Sequence, residues 1–202
     1  MWSSALALTL KSIVVNGGSL ISVYDDAGYL VRIGQVGSGM EVLHSIFGFV
    51  PSPVLTALMQ WAGRTHVLMS VVHAIPALHA TNAAALMFLA WSLTEVIRYP
   101  TYAFGSKVPS WLNYLRYTVF IPLYPIGGPS EIWLMVNSLP TMDAKQMYTI
   151  TMPNAINFAF HYPTFLRGLI VVYPYLLFKL YAHMFTRERR SSPAEEGQSA
   201  TD

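Results

Sequence analysis

The sequence has no cysteine and little charge. The first absence excludes disulfides, thiolate metal sites and a cysteine nucleophile together. Asp, Glu, Lys and Arg make up only 11% of the 202 residues, against roughly 25% in an ordinary soluble domain. Hydrophobic residues reach 53% and the mean hydropathy is +0.42, so a soluble single-core domain is not expected. A formal net charge of +2 and a pI near 8.8 provide no basic surface for nucleic acid. What the chain has instead is a series of apolar stretches close to the roughly 20 residues that a helix needs to cross about 30 Å of hydrocarbon. The expected fold is all-α, a polytopic helical bundle whose solvent is the lipid bilayer.

Six transmembrane helices account for most of the length. The first covers residues 1–23, interrupted by Lys11, Asn16, Gly17 and Gly18, with no signal-peptide cleavage pattern. Asp25, Asp26 and Arg32 bracket a polar loop, and Val36 to Val50 is the second span, carrying Glu41 and His44. Pro51 and Pro53 turn the chain into a third, Val54 to Ile75, closed by Pro76, and the fourth is Ala83 to Arg98. A polar connector from Tyr99 to Ser110 leads to the fifth, Trp111 to Leu139, which is longer than an average span. Within it Pro122, Pro125 and Pro129 each remove a backbone donor beside Gly127 and Gly128, which predicts a kinked, locally unwound helix. Residues 140–161 read as a loop and Tyr162 to Phe185 as the last span. The chain thus divides into a membrane unit, 1–186, and a basic juxtamembrane segment with a tail, 187–202. That tail is too polar to bury a core and is expected to be disordered. Arg187, Arg189 and Arg190 abut the last span, so both ends are expected in the cytosol, together with Arg98, Lys107 and Arg116.

A charged group in a span costs at least about 2.5 kcal/mol on insertion scales and asks for a partner or a function. Glu41 and Glu95 have Arg64, Arg98 and Arg116 to pair with, which would hold helices in register. His66 and His73 lie seven residues apart, too far to close on one metal ion without further ligands, and no metal site is expected. Tyr124 and Glu131 stand out. Seven residues are about two helical turns, so both side chains share one face, with an axial rise of about 10.5 Å between them. A carboxyl and a phenol in a low-dielectric site beside unwound backbone would supply a proton acceptor, a proton donor and free peptide dipoles. The residues alone leave a second reading open, in which Tyr124 packs at the membrane interface and Glu131 pairs with an arginine.

Four stretches in series carry a resemblance: Met40-Glu41-Val42-Leu43-His44; Ser52-Pro53-Val54 through Gln60 and Arg64; Trp91 through Glu95 and Arg98 to Tyr99; and Leu115-Arg116-Tyr117-Thr118 continuing through Phe120, Leu123, Tyr124, Pro125, Gly127 and Glu131. With these the chain resembles the 3-hydroxyacyl-CoA dehydratases of very-long-chain fatty-acid elongation, a family also described as protein tyrosine phosphatase-like. The resemblance implies six spans, cytosolic ends, residence in the endoplasmic reticulum membrane, and elongation-cycle enzymes as partners. It also implies that the Tyr-Pro-x-Gly-x-x-x-Glu pattern supplies a catalytic pair, Tyr124 and Glu131. Phosphatase activity would need the nucleophilic cysteine that is absent.

Dehydration of a 3-hydroxyacyl-CoA moves a proton from C2 and protonates the departing C3 hydroxyl. It transfers no electrons, so no cofactor is expected. Glu131 is the candidate for the main proton transfer and Tyr124 for donation to the hydroxyl or the thioester oxygen, with the exchange of these two roles left open by the sequence. Amides freed at Gly127 and Gly128 would meet the developing enolate, and Arg98, Lys107 and Arg116 the CoA phosphates. Two alternatives stand beside the enzyme: an inactive membrane scaffold for elongation enzymes, and a transporter. The latter should show paired broken helices in two halves, and only one segment is broken.

Overall fold

The computed structural model describes residues 1–49, 53–104, 107–155 and 157–191. The expected all-α class is observed, and the β pairing among the described residues is a single antiparallel bridge between Ile150 and Phe160. The helices are α1 (Trp2–Val15), α2 (Val23–Gly37), α3 (Met40–Ile46), α4 (Val54–Thr65), α5 (Asn82–Phe104), α6 (Ser110–Lys145) and α7 (Tyr162–Ser191). α4 continues directly into a π-helical stretch, His66–His73, and a short 3₁₀ turn at Pro76–Leu78 precedes α5.

Pro53 and Pro109, both with extended backbone, open α4 and α6. The Thr81 hydroxyl accepts from the Ala84 N–H at 3.3 Å and starts α5. α6 stops where Gln146 turns left-handed at φ 48°. α6 packs most extensively on α5 and is flanked by α7, while α1 lies against α2 and α5. The core sits among these helices, with Val31, Leu68, Met87, Phe88, Leu134 and Leu166 all fully buried.

Several sequence expectations are corrected. The second span, Val36 to Val50, is not one helix: the chain breaks after Gly37, and α3 ends before Gly48, which takes φ 73°. Residue 50 lies outside the described residues, as do Pro51 and Ser52 of the expected turn. Asp25, Asp26 and Arg32 are within α2 rather than in a loop. The two carboxylates occupy its first turn, where the positive end of the helix favours them. α5 runs past Arg98, through Pro100, to Phe104, and α6 runs six residues past Leu139, so both connectors are shorter than expected. α7 extends to Ser191, and residues 192–202 of the expected disordered tail lie outside the described residues.

The largest correction concerns α6, which is helical without interruption from Ser110 to Lys145 despite Pro122, Pro125, Pro129 and Pro140. At 100° per residue these four positions fall within an arc of about 60°. All four prolines are exposed, on the side opposite Tyr124 and Glu131. The lost ladder bonds are therefore confined to one outward face. One consequence is compensated: Pro125 cannot bond the carbonyl of Ile121, and the Tyr181 hydroxyl of α7 donates to that oxygen at 3.3 Å. The local unwinding expected at Pro122 to Pro129 does not occur, because the face that packs against α5 and α7 keeps the ladder.

Among the described residues one helix, Ser110–Lys145, is long and apolar enough to cross a membrane by length and composition.

Candidate active site

Glu131 is the centre of the site. Its carboxyl is buried on the inner face of α6 and is held by donors from both neighbouring helices. The Trp91 indole N–H of α5 donates to Oε1 at 2.7 Å, and the Tyr173 hydroxyl of α7 donates to Oε2. The expectation that Glu131 pairs with an arginine, if structural, is not what is seen.

Tyr124 lies on the same face two turns earlier, half-buried. Its ring stacks on Tyr181 of α7, with centroids 5.6 Å apart, and meets Phe120 edge-on at 6.4 Å. The two residues that the spacing puts on one face are thus both on the inward side of α6, away from its exposed prolines.

A second polar layer lies behind the Trp91 indole. The Arg64 guanidinium sits 4.3 Å from the centre of that ring and pairs with Oε1 of Glu95. Glu95 is fully buried, and its Oε2 lies 2.6 Å from Arg98, which in turn reaches Glu41 at 2.8 Å. The pairing of Glu41 and Glu95 with arginines is therefore observed, through Arg64 and Arg98. Contacts run without a gap from Glu41 on α3, through Arg98 and Glu95 on α5 and Arg64 on α4, to Trp91 and Glu131.

The other candidates are placed as follows. Arg98 is committed to two carboxylates within the bundle. Arg116 donates to the Thr101 hydroxyl at 3.1 Å and lies over the Tyr102 ring, while Lys107 is exposed in the α5–α6 connection. Gly127 and Gly128 are buried inside the α6 ladder, so their amides are not freed toward a ligand. Their role is close approach: a Cβ on Gly127 would come within 3.3 Å of the Ala90 Cβ, and one on Gly128 within 2.7 Å of a Leu177 methyl. His66 and His73 do not converge, since His66 contacts the Tyr162 hydroxyl at 2.6 Å and His73 the Tyr24 hydroxyl at 2.9 Å.

Trp91 and Tyr173 were not singled out from sequence as site residues. The available signal was chemical: an indole N–H or phenol O–H inside an apolar segment requires a partner, and a buried carboxyl is the natural acceptor.

The family described as Protein tyrosine phosphatase-like protein, PTPLA, matches residues 35–193, and the chain belongs to this family. A mouse (Mus musculus) relative, very-long-chain (3R)-3-hydroxyacyl-CoA dehydratase 2, is 32% identical over 187 residues, covering 92% of this chain and 74% of its own length. The Caenorhabditis elegans very-long-chain (3R)-3-hydroxyacyl-CoA dehydratase hpo-8 is 36% identical over 159 residues, or 77% of this chain and 72% of that protein. The Arabidopsis thaliana dehydratase PASTICCINO 2 is 32% identical over 164 residues, covering 80% and 73%. No solved structure matches the chain significantly.

Proposed function

We propose that the chain is a very-long-chain (3R)-3-hydroxyacyl-CoA dehydratase, a hydro-lyase that converts the 3-hydroxyacyl-CoA of the fatty-acid elongation cycle to trans-2-enoyl-CoA. The observation that carries the proposal is the Glu131 carboxyl, buried yet held at both oxygens by neutral donors rather than by a cation. Glu95, by contrast, is matched by two arginines. Dehydratase relatives at 32% identity over 92% of the chain support the same conclusion.

In the reaction a base removes a proton from C2, the C2 electron pair forms the C2–C3 double bond, and the C3 hydroxyl leaves as water after taking a proton. In this reading Glu131 takes the C2 proton and returns it to the departing hydroxyl, and Tyr124 donates a hydrogen bond to the hydroxyl or the thioester oxygen. The Tyr124 ring is held against Tyr181, which aims its phenol without using the hydroxyl itself. Lys107 and Arg116, at the α5–α6 end of the bundle, are the proposed neighbours of the CoA phosphates.

The protein is further proposed to reside in the endoplasmic reticulum membrane with both termini cytosolic and six spans, formed by α1, α2, α4 with its π-helical continuation, α5, α6 and α7. Supporting this are the length and hydropathy of α6 and the apolar side chains that face outward on several helices. Val14 of α1, Leu55 of α4 and Val171 and Phe178 of α7 are between 67% and 78% exposed, as suits helices whose outer faces meet lipid. Trp111 and Tyr114, exposed in the first turns of α6, suit a headgroup-level aromatic belt. A very long acyl chain is membrane-soluble and CoA is polyanionic, so an inter-helix site with a cytosolic mouth accommodates both ends. Elongation-cycle enzymes are the proposed partners.

The test is an assay of the detergent-purified chain with a 3-hydroxyacyl-CoA. Time-dependent appearance of the 2-enoyl-CoA is expected. A folded protein that forms none would favour a scaffold role among elongation enzymes.

A further inference from the structure

We infer that Trp91 and Tyr173 are positioning residues that clamp the Glu131 carboxyl in its reactive orientation. The inference rests on the assignment of Glu131 as the proton-transfer group. A glutamate carboxyl rotates easily about its terminal torsion, which has broad wells, so burial alone does not fix the direction of its lone pairs. Here each oxygen has its own donor, and the two donors come from helices on different sides of α6. Trp91 reaches Oε1 from α5 and Tyr173 reaches Oε2 from α7, so the carboxyl plane is defined by two points.

The chemistry of the donors is suited to that task. An indole N–H can only donate, and it never competes with Glu131 for the substrate proton. The indole is itself held in place, because the Arg64 guanidinium covers its ring and is anchored on Glu95. Each carboxylate oxygen accepts two hydrogen bonds, so the clamp leaves one acceptor site on each oxygen for substrate. An arginine in place of these neutral groups would leave the same acceptor sites, but its charge would hold the carboxyl ionised and oppose its taking a proton. The arrangement therefore restrains Glu131 without blocking it.

The consequence is kinetic. Tyr173→Phe removes one hydroxyl and frees the carboxyl to rotate, which lowers the fraction of bound substrate in a reactive geometry. Loss of alignment of this kind is worth about tenfold to a hundredfold in rate. The loss should fall on kcat, with KM for the 3-hydroxyacyl-CoA within about twofold of wild type, because Tyr173 acts through Glu131 and not on the substrate.

The experiment measures kcat and KM of the full-length purified chain for wild type, Tyr173→Phe, Glu131→Gln and the double variant. The expected result is a lower kcat for Tyr173→Phe, and a double variant no slower than Glu131→Gln alone, since a clamp has no function once the carboxylate is gone. Wild-type kcat in Tyr173→Phe, a change in KM alone, or multiplied losses in the double variant would each overturn the clamp. Near-normal turnover by Glu131→Gln would overturn the assignment of Glu131 itself, which is a separate failure. If Tyr173→Phe does not accumulate as folded protein, Trp91→Phe puts the same question through the other oxygen, with the same pattern expected and the same results contradicting it.

Discussion

The Arg64 guanidinium lies 4.3 Å from the centre of the Trp91 ring, whose N–H is bonded to Glu131. One aromatic side chain thereby separates two kinds of buried carboxyl. On one side Glu95 is neutralised by Arg64 and Arg98. On the other an indole and a phenol donate to Glu131, and among the described residues no cation is in ion-pair contact with it. The first arrangement holds helices together, and the second leaves a carboxyl able to exchange a proton.

Removing the carboxylate of Glu95 should test the structural half of this division. Glu95→Gln leaves Arg64 and Arg98 without the charge they share in the interior. Stranding buried charge costs about 3 to 5 kcal/mol. Thermal unfolding in detergent should show a large loss of stability, accompanied by poor yield. A protein of unchanged stability that had lost activity would instead move Glu95 into the reacting centre.

The close approach of α5 and α6 at Gly127 predicts a steric effect. Gly127→Val places a branched side chain where a Cβ already comes within 3.3 Å of Ala90. Forcing extra carbons into a packed contact costs about 1 to 3 kcal/mol. Reduced thermal stability, partly restored by Ala90→Gly, is expected. An unchanged melting temperature would show that α5 and α6 are not in contact there.

The Tyr181 hydroxyl substitutes for the ladder bond that Pro125 removes from Ile121. Tyr181→Phe keeps the ring against Tyr124 and loses only that bond, worth about 1 kcal/mol. A small loss of stability is expected, and the additional change Pro125→Ala, which restores a donor within the helix, should offset it. Equal destabilisation by Tyr181→Phe with and without Pro125 would refute the compensation.

The proposed topology is checked with glycosylation-site tags at the two ends. Neither tag should be modified if both termini are cytosolic. Modification of one end alone would require an odd number of spans.

Much of the site was legible because it obeys rules that act along one helix or on composition. Tyr124 and Glu131 could be paired from their spacing, and Glu41, Glu95, Arg64 and Arg98 from the cost of leaving charge unpaired in apolar surroundings. Trp91 and Tyr173 were not legible in the same way, because their role appears only when α5 and α7 dock on α6 from either side. The prolines of α6 follow a related logic. Each taken alone is a break in the ladder, whereas spacings of 3, 4 and 11 residues, all near whole helical turns, confine them to one exposed face. By polarity Asp25 and Asp26 read as loop residues, although carboxylates are favoured in the first turn of a helix, where α2 places them.

The most direct test of the central claim is the dehydration rate of Glu131→Gln and Tyr124→Phe, measured on folded, purified protein with a 3-hydroxyacyl-CoA. Each substitution removes one proton-handling group and almost no volume. Loss of a general acid or base lowers the rate by about 10²- to 10⁴-fold. Both variants should retain wild-type folding and lose activity in that range, and the double variant should be scarcely slower than the poorer single one if the pair acts as a unit. Near-normal formation of 2-enoyl-CoA by either folded variant would contradict the assignment of the catalytic pair.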